Sequence, residues 1–357
     1  MKFEYWLSNI YIDNTKKINL KRSGIDAKTL FYMKNDELEK LQILTGKDIK
    51  IDRSRQTWDI EKKWEDFVLT GINFTSIGME DYPQKLVEIP DSPYALYYIG
   101  KLPDESQKAV AIVGARMRSA YGCEVAKKIA QKLARNGISV ISGMARGIDR
   151  DGHVGALEEN GLTYAVLGSG VDICYPKENK FLYEKIPHSG GLISENPPGT
   201  MAVARNFPLR NRIISGLCDK VVVVEAKDKS GSLITADYAM EQGKDVYVVP
   251  GRITDPLSRG CNRLIKQGAG IIYDIDDFIA DITLTVFKEC VQMDFRKNVL
   301  DKKSLLVYSL LDFSPIGLGE LLEKVPYGLS ELIEIIEYLK HIGFIKECIT
   351  NYYIKTL

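Results

Sequence analysis

Hydrophobic and polar positions follow two rhythms along this chain, and the change comes near residue 109. Over residues 1–65 short apolar groups recur at helical spacing among Lys, Asp and Glu, as in "TLFYMKNDELEKLQILTG", which closes on Gly46 as a candidate C-cap. That spacing predicts a small helical domain over residues 1–70 with a solvated outer face. The following stretch, residues 71–108, mixes short β-prone runs with turn residues and prolines and reads as a connector. From residue 109 the apolar runs become continuous: "AVAIVG", "ISVIS", "TYAVLG", "GGLIS", "DKVVVVEA", "DVYVVPG" and "AGIIY". Helical stretches such as "YGCEVAKKIAQKLARNG" and "SLITADYAMEQG" lie between most of them. Apolar strands alternating with helices predict an α/β domain with a doubly wound, mostly parallel sheet covered on both faces, through about residue 285. Residues 286–300 read as a linker. Beyond them, over 301–357, come three short helical patterns and a β-prone tail, the order of a winged helix.

Charge changes this picture only locally. The chain carries 48 basic and 48 acidic residues, so no global field gathers polyanions and any anion site must be a patch. The six cysteines form no C-x-x-C pair, which argues against a zinc site or a disulfide framework and suits a reducing compartment. The opening run "MKFEYWLSNIYIDNTKK" is broken by polar residues and does not pattern as a signal peptide. No stretch approaches the roughly 20 apolar residues of a membrane span. A cytoplasmic protein without membrane contact is expected.

Against this neutral background, "NFPLRNRIISG" (206–216) stands out, because Arg205, Arg210 and Arg212 fall close together with no acid nearby in sequence. Other candidate anion contacts lie where strands give way to helices. "AIVGARMRSAYG" places Arg116 after a strand; it lacks G-x-G-x-x-G, and no acidic residue ends the next strand, so a dinucleotide site is not expected. Arg116 could hold phosphate bidentately or pair with a local acid. "SGMARGIDRDGH" offers Asp149 or Asp151 as a helix cap and His153 as a structural histidine or a ligand contact. "LGSGVDICYPKEN" contributes Lys177, as an anion contact or a solvated lysine. In "AKDKSGSLITADYAM", Ser230-Gly231-Ser232 opens a helix, where free N–H groups, hydroxyls and the helix dipole suit an anion; serines that merely cap the helix are the alternative. In a doubly wound sheet the C-terminal strand edges lie together, so these segments should converge on one basic groove. No Ser/His/Asp order, paired acids or metal spacing joins them. The expectation is phosphate holding by a non-enzyme, with no cofactor and no metal.

Taken in order over about residues 80–280, "AIVGAR", "SGMARGID", "LGSGVDICYPKEN", "SENPPGT", "NFPLRNRIISGL", "VVVVEAKDKSGSLITADYAMEQGKDVYVVPG" and "DPLSRGCNRLIKQGA" resemble the successive signatures of the DprA/Smf (DNA-processing protein A) family. The resemblance implies an extended Rossmann-like core flanked by a SAM-like helical domain and a winged-helix-like domain. It implies a protein that binds single-stranded DNA without catalysis, protects incoming strands in natural transformation, loads the recombinase RecA onto them and dimerises through its core. Carried over by motif, Arg116, Lys177, Arg205, Arg210, Asn211, Arg212, Ser230, Gly231 and Ser232 become DNA contacts. "NRLIKQGAGI" (262–271) becomes the dimer and recombinase surface, with Ile265, Lys266 and Ile271. Two departures are Ala115, where a serine is more usual, and Leu209, where another base often stands. Tyr175 and Phe207 are the few aromatics offered for base stacking, so low sequence preference is expected. The third tail helix carries Glu331, Glu334 and Glu337 on neighbouring positions, which would repel phosphate and suggest a protein-contacting tail. The enzyme-class alternative, a nucleotide-processing hydrolase of the lysine-decarboxylase-like Rossmann group, would need a glycine-rich PGGxGTxxE-type turn where this chain reads "SGSLITAD".

Overall fold

A computed structural model describes residues 1–41, 54, 55, 57–283, 301–311, 315–342 and 344–355. The expected C-cap Gly46 and the expected linker 286–300 lie outside the described residues. The chain divides into two compact units, Met1–Ile279 and Ala280–Leu357.

A nine-stranded sheet organises the first unit. Its strands are β1 (Asn73–Ser76), β2 (Ala95–Gly100), β3 (Ala109–Val113), β4 (Ser139–Ser142), β5 (Thr163–Val166), β6 (Gly190–Ser194), β7 (Lys220–Val223), β8 (Asp245–Val248) and β9 (Gly270–Ile271). They lie in the order β1-β2-β6-β5-β4-β3-β7-β8-β9. From β6 to β9 all neighbours are parallel, whereas β1 and β2 join antiparallel. All seven apolar runs read from the sequence are strands of the parallel part. Every residue of β3, β4, β5 and β6 is buried, which is why they lack alternation. The chain leaves β3 toward β4 and later returns to pair β7 on its other side. Strand order therefore reverses between β3 and β7, and a crevice opens there at the strands' C-terminal ends. The helices Ala120–Arg135 and Ile148–Glu158 pack on each other, as do Asn206–Leu217 and Gly231–Glu241. Right-handed crossovers on either side of the reversal put the two pairs on opposite faces.

Two expectations change in the amino-terminal third. The supposed connector supplies β1 and β2, which widen the sheet. The described residues among 1–69, including Trp6, Leu20, Leu30 and Phe67, share one core with that sheet, and the two compact units divide at 279/280 and not at 70. Trp6 and Leu7, on the helix Lys2–Asn9, are fully buried. Ser8 Oγ and Asn9 Nδ2 reach the Tyr97 hydroxyl on β2 at 2.7 and 3.1 Å. The "TLFYMKNDELEK" pattern forms two short helices, Ala27–Tyr32 and Asn35–Glu39, because Met33 turns extended between them.

The second unit contains the helices Lys302–Leu310, Leu318–Lys324 and Leu329–His341, with β10 (Ile316–Gly317), β11 (Ile345–Ile349) and β12 (Tyr352–Lys355). These strands form a small sheet in the order β10-β12-β11, the arrangement of a winged helix, around a core that includes Val307, Leu321, Leu332, Ile336 and Leu339. No described helix is long and apolar enough to cross a membrane.

Candidate functional site

At the strand-order reversal lies a cavity of about 620 Å³. Its main walls are the turn after β3 (Gly114–Met117), the turn after β7 (Lys227 and Lys229–Ser232), and the segment 202–208 that enters the helix Asn206–Leu217, with Asp149 and Tyr175 also in the lining.

The two helices that start beside the crevice, one on each side of the reversal, differ sharply. Ahead of Ala120–Arg135 the Glu225 carboxylate, buried at the end of β7, accepts hydrogen bonds from the Ser119 N–H (2.9 Å) and hydroxyl. An internal anion thus stands where a dinucleotide fold holds its pyrophosphate. Gly122 makes this possible, since a Cβ there would lie 2.4 Å from the carboxylate. Ahead of Gly231–Glu241 no carboxylate intervenes among the described residues. Ser230 caps the helix weakly, its Oγ 3.4 Å from the Ser232 N–H and 2.8 Å from the Ser232 Oγ, and both serines line the cavity. Ser230 therefore takes up the capping role while the hydroxyl pair still faces the cavity.

Arg116 is exposed at the cavity's edge, and no ion pair holds it among the described residues. Its guanidinium lies 5.7 Å from the centroid of Phe207, and Phe207 stacks at a tilt on the half-exposed Tyr175, 5.5 Å between centroids. Cation and rings therefore present one continuous polar–aromatic wall. Lys227 and Lys229, both exposed, complete it from the opposite side. Sequence reasoning passed over these two lysines, although they flank Asp228 directly before Ser230 in the same strand-to-helix turn.

The arginine cluster behaves otherwise. Residues 206–217 are one helix, on which successive residues turn by about 100°, so positions two apart point to nearly opposite sides. Arg210, 4% exposed, lines the back of the cavity and donates to the carbonyls of Gly143 (2.9 Å) and Val166. Burial pushes its pKa down to about 10, with the Asp149 carboxylate pulling the other way. Arg212, 3% exposed, faces away from the cavity lining and grips Glu195 with two nitrogens (3.0 and 2.7 Å) and Asp91 with Nε (2.8 Å). Burial alone would lower its pKa, but the two carboxylates outweigh this and hold it above the ordinary value. The acids missing from the local sequence are supplied in space, so this guanidinium is a structural clamp. Asn211 lines the cavity and donates from Nδ2 to the Gly231 carbonyl at 3.2 Å. Arg205 and Lys177 are exposed, the first at the cap of its helix and the second in the turn Lys177–Asn179; neither is in the cavity lining.

Neither acid of "RGIDRDGH" caps its helix, which begins at Ile148 after Gly147 with φ +77°. Asp149 instead accepts from the Gly143 N–H (3.2 Å), and burial raises its pKa against the pull of Arg210 and backbone donors. Asp151 is buried and pairs with Arg118 Nε at 2.7 Å. His153 is fully buried, with Nδ1 2.7 Å from the Thr163 hydroxyl, and takes the structural role. Burial, with Arg210 adding, pushes its pKa down to about 3, so the ring is neutral.

On the far side, Ile265 packs partly into the core while Lys266 is exposed. Ile271 is 45% exposed on β9, the outermost strand of the sheet.

This geometry accords with comparisons to known proteins. The family model described as DNA recombination-mediator protein A matches residues 73–283, beginning at the first residue of β1. DNA processing protein DprA of Streptococcus pneumoniae is 45% identical over 210 residues, 58% of this chain and 74% of that protein. Its solved structure superposes with a TM-score of 0.68 at 35% identity, covering 78% of this chain and 97% of that one. The DNA processing protein A of Helicobacter pylori, a protein described for its single-stranded DNA binding mode, superposes with a TM-score of 0.54 at 29% identity, covering 60% of this chain and 97% of that one. The match spans more than half of the chain's 357 residues and contains every segment that walls the crevice: the chain belongs to the DNA recombination-mediator protein A family.

Proposed function

We propose that the crevice binds single-stranded DNA and that the protein acts as a recombination mediator, shielding the strand and handing it to a RecA-type recombinase. One observation carries the reading. The crevice's exposed cations, Arg116, Lys227 and Lys229, form no salt bridge among the described residues, with buried Asp149 in the same lining acting on Arg116 only at a distance. They surround a helix start capped by its own serine and the pair of half-buried Phe207 with exposed Tyr175. Guanidinium and ammonium groups with unsatisfied backbone donors hold phosphates, and the Tyr175–Phe207 wall lets bases of any identity stack. A duplex would hide its base faces from that wall, so single strands are preferred. The Helicobacter pylori relative, described for single-stranded DNA binding, supports the same ligand.

Arg116, Asn211 and Ser230–Ser232 are the strand contacts of this reading, joined by Lys227 and Lys229. Arg205 and Lys177 would extend the path outside the cavity, whereas Arg210 and Arg212 support the wall from within. Ile265, Lys266 and Ile271, beside the open edge of β9, form the proposed surface for a second copy or the recombinase. A mobility shift with single- and double-stranded DNA, with and without RecA, tests the reading. A shift with single strands and a further species with RecA are expected; equal binding of both DNA forms would overturn it. Incubation with nucleoside monophosphates and chromatography of the products separates this reading from a hydrolase.

A further inference from the structure

We propose that a second strand-binding subsite adjoins the crevice, built from Arg146 and Arg150 with Phe181, and that it holds the nucleotide next to the one at Arg116. This rests on single-stranded DNA being the crevice's ligand. A second cavity, of about 520 Å³, shares Arg116 and Met117 with the crevice and continues past them to Arg146 and Arg150. A strand leaving the crevice on this side meets these side chains next.

Their present partners leave them available. Arg146 pairs with Glu178, but both side chains are about 60% exposed (62% and 59%), and such a pair contributes little in water and yields to a phosphate. Half-buried Arg150 has its guanidinium 5.4 Å from the centroid of Phe181, a ring 38% exposed. Guanidinium and ring together offer a phosphate contact and a stacking surface in one place, the combination that suits a single strand without regard to sequence. Arg118 is different: the buried Asp151 holds it, so it serves as backing.

The two cavities are also held in fixed register. Gly147 has φ +77°, and a Cβ there would sit 2.2 Å from the Ala115 carbonyl oxygen. The next residue, Ile148, donates its N–H to that same oxygen at 3.2 Å. From the other side, buried Asn179 donates to the carbonyls of Met144 (2.8 Å) and Ala145 (3.3 Å). The segments bearing Arg116, Arg146 and Phe181 are thus tied together by one backbone hydrogen bond and by the Asn179 side chain, and a strand held at one cavity is presented to the other.

The test is binding of oligothymidylates of increasing length to the full chain over a series of salt concentrations, comparing wild type, Arg116→Ala and Arg146→Ala/Arg150→Ala. Thermal unfolding serves as the folding control, and the single variant Arg146→Glu, at an exposed position, serves if the double variant does not fold. The shortest oligomers should bind the double variant as they bind wild type. Longer ones should bind it about ten-fold more weakly, with a salt slope lower by roughly 1.4, two contacts at about 0.7 each. Affinity and slope equal to wild type at every length, with Arg116→Ala still impaired, would overturn the second subsite and leave the crevice reading standing. No binding of any oligomer by wild type would overturn both.

Discussion

The rim of the crevice and the wall behind it use the same residue types to opposite ends. Arg116, Lys227 and Lys229 on the rim are exposed and form no salt bridge among the described residues, although buried Asp149 lies within electrostatic reach of Arg116. Behind them, Arg212 is clamped by Glu195 and Asp91, and Arg210 is committed to the Gly143 and Val166 carbonyls beside Asp149. The helix starts repeat the contrast: one is filled by Glu225, the other is capped only by its own serine. Positive charge in a segment therefore says little about ligand binding until its partners are known. A compensated arginine holds the fold, and an uncompensated one waits for an anion.

The sharpest way to break this contrast is Arg212→Ala. It leaves Glu195, with a side chain 17% exposed, without its guanidinium, a loss of about 3–5 kcal/mol. A fall of roughly 10 °C in the unfolding temperature is expected by calorimetry, with the salt dependence of strand binding unchanged in the folded protein. Unchanged stability with lost binding would move Arg212 to the rim.

A smaller effect tests the neutrality of the wall. His153 titrates near 6.5 in the unfolded chain and at about 3 when folded. Its folded pKa is depressed, so its contribution is complete above about pH 6.5 and is lost as pH falls toward 3, because the unfolded state takes up the proton first. Urea unfolding at pH 7 and pH 5 should give wild type about 2 kcal/mol more loss than His153→Gln. Parallel profiles for the two would show that the ring is not held neutral.

The smallest expected effect concerns the winged helix. Glu331, Glu334 and Glu337 lie along its third helix, with Lys303 and Lys340 pairing Glu331 and Glu337. With two of these acids paired and the pairing lysines thereby occupied, this helix offers phosphate little, so deleting residues 301–357 should leave single-strand affinity within a few-fold. A loss of a hundred-fold or more would make the tail a principal DNA contact.

The parallel sheet was legible in the sequence because continuous apolar runs such as "AVAIVG" and "DKVVVVEA" have few other solutions between helical stretches. β1 and β2 were not, because "NFTS" and "ALYYIG" are short, interrupted by turns, and become strands only by pairing with each other and with β6. That Arg116 and Ser230–Ser232 would come together was legible, since each follows a strand at the C-terminal edge of the sheet, and both line the cavity. Arg212 was misjudged for a physical reason. Its partners Glu195 and Asp91 come from 17 and 121 residues away, and helical rotation separates it from Arg210. Lys227 and Lys229 were overlooked because attention fell on the serines that follow; in space Asp228 between them meets Arg259, and both lysines line the cavity.

The most direct test of the central claim is a salt-titrated single-strand binding measurement on Arg116→Ala/Lys227→Ala, both at exposed positions, alongside wild type. The double variant should remain as stable as wild type, bind at least ten-fold more weakly, and show a salt slope shallower by roughly 1.4. Wild-type affinity and slope in the double variant would contradict the claim that the rim of this crevice holds the strand.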